Sequence, residues 1–170
     1  IAQFNRFLSK KVDFQCLTTL NNNPTKEDNY LVHKLLSNKK SRYFNFINFF
    51  LIKKIIKKEN ITHIILEHPY YGWLGILLKI FAKVKLVIHS HNIESSRFKS
   101  IGKWWWRILY SYEKFSHQNA DLNFFITEED KSFAIKNFKL DAKKCVIITY
   151  GFDLEKPPLP DAKSAARKII

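Results

Sequence analysis

A chain of 170 residues with 46% hydrophobic and 15% aromatic side chains is long and apolar enough to bury one compact core. Its formal net charge of +14 and pI near 9.8 put a strong positive potential on some face, which favours nucleic acid, anionic lipid or phosphorylated small molecules as neighbours without choosing among them. Cys16 and Cys145 stand far apart without the spacing of a zinc or redox motif, and no charge-free window reaches membrane-spanning length, so those classes are excluded. The thiols are read as buried and free, and the protein, with no visible signal peptide, as cytoplasmic.

In chain order, "IAQFNRFLSKK" reads as the second half of a helix. With no methionine at position 1 or elsewhere, the chain is expected to be a fragment. Strand-length apolar runs rich in Val, Ile, Phe and Thr recur at 12–20, 61–67, 85–89, 121–127 and 145–150, as buried parallel strands do. Helix-length segments at 44–59, 70–82, 103–119 and 128–138 lie between most of them. In the first, Ile52, Ile55 and Ile56 fall on one face and Lys53, Lys54, Lys57 and Lys58 on the other. The alternation predicts a doubly wound, mainly parallel Rossmann-like α/β sheet with helices on both faces. The polar stretch 21–40, built around "NNNPTKEDN", is expected to leave the sheet as a mobile loop before a weak helix. After residue 153 the character changes: Pro157, Pro158 and Pro160 make a stiff linker and Asp161 caps a new helix that is cut off. The plan is one domain over 1–153, and over 154–170 a linker with the start of a second domain.

In open parallel sheets ligands bind beyond the carboxyl ends of the strands, where loops and helix N-termini converge. "LVIHSHNIESSRF" (86–98) delivers His89, His91, Asn92 and Glu94 to such an end. His89 and His91, two apart, point the same way along a strand. A metal reading of His89, His91 and Glu94 lacks a further convergent ligand and is not adopted. His89 is read as a core histidine bonded to backbone, and His91 as a group that reaches ligand and exchanges a proton near neutrality. Thr127 of "ITEED" is placed to cap the helix from Glu128, with Asp130 as its capping-box partner, and is kept as a ligand contact at a strand end. Gly151 ends the last strand where a tight turn or close backbone approach calls for a residue without Cβ.

Along "GKWWWRILYSYEKF" (102–115), Trp105, Ile108, Leu109, Tyr112 and Phe115 form the stripe expected to face the core. Lys99, Lys103, Arg107 and Lys114 line up near Trp104, a pairing suited to an anionic membrane interface and also to stacking on single-stranded nucleic acid.

The run "HSHNIESSRFKSIGKWWWRILYSYEKF…ADLNFFITEEDKSFAIKNF…KCVIITYGFD" resembles the N-terminal domain of bacterial family 4 glycosyltransferases over about 85–153. Residues 1–84 agree with that family only in rhythm. The resemblance implies a GT-B architecture of two Rossmann-like domains facing across a cleft. It implies transfer of a sugar from a nucleotide donor to a saccharide or lipid-linked acceptor, with retention of configuration and without metal or other cofactor. The N-terminal domain would receive the acceptor, and the nucleotide sugar would be held mainly by a C-terminal domain after Ile170. A first strand with its glycine-rich loop would precede Ile1. His91 matches the family's histidine beside the reaction centre, Thr127 the small hydroxyl opening the next helix, and Gly151 with Asp153 the exit into the linker. Asn92 and Glu94 are carried as acceptor-side contacts. Lys99, Lys103, Trp104 and Arg107 are carried as contacts to an anionic surface on the inner face of the cell membrane, with no nucleic acid expected.

Two other readings compete. One is a non-catalytic basic module binding anionic membrane or RNA. The other is a nucleotide-binding oxidoreductase, disfavoured because no G-x-G-x-x-G stands in the chain.

Overall fold

The computed structural model describes residues 2–23 and 29–149. Helix α1 (Ala2–Ser9) precedes strands β1 (Gln15–Thr19) and β2 (Leu31–Leu36). Then α2 (Ile47–Lys58), β3 (His63–Glu67), α3 (Gly72–Ala82) and β4 (Lys85–Ser90) alternate. Helices α4 (Glu94–Ser100) and α5 (Trp106–Asn119) lead to β5 (Leu122–Phe125). Helix α6 (Glu128–Phe133) continues as a π-helical turn, Ala134–Phe138, before β6 (Cys145–Ile147).

The four strands β3-β4-β5-β6 pair in sequential order and all in parallel. Parallel neighbours need crossovers of one hand, so their connecting helices share one face of the sheet. The packing agrees. Leu86 and Ile88 of β4 meet Ile64, Leu66 and Ile76, and Ile56 of α2 meets Leu74 and Leu78 of α3. At the far edge Phe125 of β5 packs with Ala134 and Phe138. On the opposite face, Phe4 of α1 lies 5.0 Å from the His89 ring, so helices do stand on both faces. The fold class is the one expected: an α/β, mainly parallel, Rossmann-like sheet.

Helix α3 can press on the sheet because Gly75 has no side chain: a Cβ there would stand 2.7 Å from Leu66 and 2.8 Å from Leu86. Cys145 is buried and Cys16 half-buried, and neither forms a disulfide.

Three expectations need correction. Segment 21–40 is not a loop before a weak helix: it contains β2, which pairs in parallel with β1. Leu31 is 54% exposed and only Leu36 is buried in β2, so the hydrophobic pattern of a buried strand is missing. The β1–β2 pair also forms a sheet of its own rather than an extension of the four-stranded one. Finally, the core side of α5 is not the stripe through Ile108 and Phe115, which are 67% and 52% exposed. Its buried residues are Glu113, Ser116 and His117, a polar face satisfied by hydrogen bonds. The expected mobile tip (24–28), the end of the last strand and the linker lie outside the described residues.

Candidate active site

Because the strands are parallel, β3 and β4 end on the same edge, and the register sets Glu67 beside His89. Alternation then separates two sets of side chains. Ser90 turns with Leu86 and Ile88 toward the helices, where its Oγ lies 3.1 Å from His117 Nε2. The other ring nitrogen, Nδ1, donates to Asn123 Oδ1 at 2.8 Å, so Nε2 accepts from Ser90. Burial holds the His117 pKa down to about 4, and the neutral ring serves the core.

His89 and His91 turn the other way and share the Glu67 carboxylate. His91 Nε2 is 2.6 Å from Glu67 Oε2, and His89 Nδ1 is 3.3 Å from the same oxygen. Burial would raise the Glu67 carboxyl, but hydrogen bonds from His89 and His91, helped by their charge, hold it down to about 2. His89 is a core histidine, as expected, at 1% exposure. Its partner, however, is a carboxylate and not backbone, and its Nε2 is buried without a hydrogen bond among the described residues.

The turn after β3 is strained. His68 has φ 71° and ψ 157°, a region that L residues rarely adopt and that costs about 1–3 kcal/mol. Pro69 follows, and the His68 amide donates to His89 O at 3.0 Å. This conformation places the His68 ring 4.4 Å from that of His91, centroid to centroid, with Nδ1 3.5 Å from Glu94 Oε1. Burial, then the charge of His91, lowers the pKa of His68.

Beyond His91 the chain enters α4 at once. Glu94 is its first residue, not a loop residue, and its carboxylate is nearly buried. Tyr70 OH donates to Glu94 Oε2 at 2.6 Å, as do Arg97 Nε at 3.0 Å and Nη2 at 2.5 Å. The N-terminus of α4 has no side-chain cap of its own; the fully buried Glu113 of α5 supplies one, accepting the Glu94 and Ser95 amides at 2.9 Å each. Two orphan donors of the helix are satisfied in this way. Burial raises the Glu113 carboxyl, opposed by its bonds to Ser95 and Glu94. Asn92, between His91 and α4, keeps a buried Oδ1 with no hydrogen-bond partner among the described residues, a vacancy a ligand donor can fill.

Thr127 caps α6 as expected, its Oγ1 accepting the Asp130 amide at 3.1 Å. Asp130 in turn bonds the Ile93 backbone, which ties this cap to the loop after His91. Gly151 and Asp153 lie outside the described residues. Trp104 is 83% exposed, while Lys99 and Arg107 sit over Trp106 instead, at 5.0 and 5.5 Å from its ring centroid. Lys103 is exposed as well. Those three side chains, Lys99, Trp106 and Arg107, line a cavity of about 420 Å³ between α4, α5 and the π-turn, apart from the strand-end cluster.

Glu67, His89 and His91 offer ligand atoms within 4.8 Å of one another, the donor set of a divalent cation. Two ligands on one tetrahedral zinc stand about 3.3 Å apart, given metal–ligand bonds of about 2 Å. The 2.6 Å between His91 and Glu67 is instead a charge-assisted hydrogen bond. A cation would have to break it.

Sequence reasoning put His91, Asn92 and Glu94 at one strand end, and around them the structure adds Glu67, His68, Tyr70, Arg97 and Glu113. The readable signal was "LEHPY" (66–70): a carboxylate and a histidine closing a strand before proline, one strand over from "HSHN".

The model of Glycosyltransferase Family 4 matches residues 3–156. The chain is 24% identical over 156 residues to the O-antigen biosynthesis glycosyltransferase WbnH of Escherichia coli, covering 86% of this chain and 44% of that protein. It is 31% identical over 112 residues to the chitobiosyldiphosphodolichol beta-mannosyltransferase of Debaryomyces hansenii, covering 60% of this chain and 24% of the relative. The crystal structure of a glycosyltransferase from Rickettsia africae superposes with a TM-score of 0.62 at 17% identity, over 98% of this chain and 44% of that one. The chain thus spans less than half the length of the curated relatives it matches.

Proposed function

The chain belongs to Glycosyltransferase Family 4, and on that premise we propose that it forms the acceptor-side half of an enzyme moving a sugar from a nucleotide-sugar donor to a saccharide or lipid-linked acceptor, with retention of configuration. The observation that carries this reading is the hydrogen bond of His91 to Glu67 at the carboxyl edge of the sheet. With Nε2–H given to the carboxylate, the imidazole is fixed in one orientation and one tautomer, leaving Nδ1 as its other polar atom. Such a ring hydrogen-bonds a hydroxyl of the transferred sugar or stabilises charge developing as the glycosidic bond to the donor breaks. Asn92, whose Oδ1 has no partner among the described residues, and the Tyr70–Glu94–Arg97 group are assigned to the acceptor. Thr127 is assigned to the same rim, and Gly151 is carried as a substrate contact on the family resemblance alone. No metal is assigned to the step, and the nucleotide is assigned to a second domain.

Among the described residues no helix is long and apolar enough to cross a membrane. A cytoplasmic enzyme resting on the inner membrane face fits a lipid-linked acceptor, and the exposed Trp104 with Lys99, Lys103 and Arg107 supports that contact.

The test is a transfer assay of the complete gene product with a panel of nucleotide sugars and of saccharide and lipid-linked acceptors, with the product's anomeric configuration read by NMR. We expect turnover with one donor class and retention, and no turnover by residues 1–170 alone. Hydrolysis or transfer by this chain alone would overturn the division of labour, and no transfer by the complete product with any donor would overturn the function.

A further inference from the structure

The surface of α2 and its neighbours departs furthest from that of an ordinary soluble domain. Helix α2, "INFFLIKKIIKK", contains no acidic residue. Its outward stripe runs Ile47, Phe50, Leu51, Lys54, Lys57 and Lys58, apolar in its first half and cationic in its second. Ile47 is 63% exposed and Phe50 69%, and Phe44 and Phe46 just before them are 80% and 66% exposed. From α3, Ile80 and Phe81 add a further 60% and 58% exposure. The rings form one connected patch. Phe49 lies 5.2 Å from Phe50 and 6.0 Å from Phe81, and Lys53 Nζ stands over both Phe49 and Phe81, at 5.7 and 5.9 Å. Folded monomers rarely leave contiguous aromatic surface of this kind to water.

We propose that this α2–α3 surface docks on an anionic lipid bilayer, with Phe46, Ile47, Phe50 and Phe81 entering the headgroup–acyl boundary and Lys53, Lys54 and Lys57 meeting phosphate. Apolar residues flanked by unpaired cations are what an interfacial helix requires. Among the described residues Lys54 and Lys57 make no ion pair. The same charges argue against a second copy of the chain as the occupant, since a two-fold contact would set lysine against lysine. This surface is distinct from the Trp104 stripe, and the inference does not rest on the sugar-transfer reading: it concerns where the domain sits, and its test needs no turnover.

Vesicles of phosphatidylcholine, with and without 30 mol% (roughly a third) phosphatidylglycerol, would be floated with the wild-type chain, Phe50→Ser/Phe81→Ser, Lys54→Glu/Lys57→Glu and Trp104→Ser. We expect binding to anionic vesicles only, weakened at least tenfold by each double variant and by a smaller factor by Trp104→Ser, with melting temperatures unchanged because all the altered side chains are exposed. Absence of vesicle binding, undiminished binding by both double variants, or a wild-type dimer in sedimentation that Phe50→Ser/Phe81→Ser converts to monomer would each overturn the proposal. Should the serine variant unfold, the glutamate variant decides alone.

Discussion

Glu67 is the residue on which the strand-end cluster turns. Two imidazoles share its carboxylate, and its pKa sits near 2 against an ordinary 4.5. The unfolded chain therefore takes up the proton first. Stability from Glu67 is complete above about pH 4.5 and is lost as the pH falls towards 2. His117 acts in the window above it. Its folded pKa is depressed from 6.5 to about 4, so its contribution is lost between those values. Glu67→Gln should flatten the melting-temperature curve below pH 4.5 and leave the slope between pH 6.5 and 4.5 in place. A variant curve parallel to wild type over the lower window would remove Glu67 from the account. His68 belongs to the same cluster at a different cost: its positive φ is backbone strain held beside His91, as functional sites often hold it.

The elements show why some of this was legible beforehand and some was not. Strand β4 announces itself as an apolar run because all of it but Lys85 is buried, and β3, β5 and β6 beside it are Val-, Ile- and Phe-rich where they pair with it or with each other. The half-exposed β2, "LVHKLL", gives no such signal. Helix α4 was invisible for another reason. Its cap is not a Ser, Thr or Asp just before it but Glu113, nineteen residues after Glu94, and no local reading finds so distant a partner. Glu113 itself defeated the amphipathic reading of α5, since the buried side of that helix is the polar one. The histidines at 89 and 91 were legible because strand alternation fixes their common direction; Glu67 was seen only as the end of a strand.

Helix ends give the element-scale prediction. Helix α3 stops at Lys83, which takes a left-handed conformation with φ 56° and is exposed. An L side chain there costs about 1–2 kcal/mol, of which glycine's greater freedom in the unfolded chain offsets roughly half. Lys83→Gly should therefore stabilise the fold by up to about 1 kcal/mol, read as a rise in urea midpoint at unchanged slope. A lower midpoint would mean that the lysine stem, not the backbone, governs that turn.

At the scale of the whole molecule, parallel strands bring every carboxyl end to one edge, and the helices that return the chain cover one face. His91 meets the edge there, between Glu67 from the neighbouring strand and the buried cap that fixes α4. The apolar, cationic α2–α3 surface would orient this edge relative to a membrane. The most direct test of the account is the turnover of His91→Ala in the complete gene product, with kcat and KM determined separately. Because the residue's interaction is assigned to the transition state, kcat should fall about a hundredfold or more while KM and the melting temperature stay close to wild type. Turnover near the wild-type value, or a loss confined to KM, would contradict it.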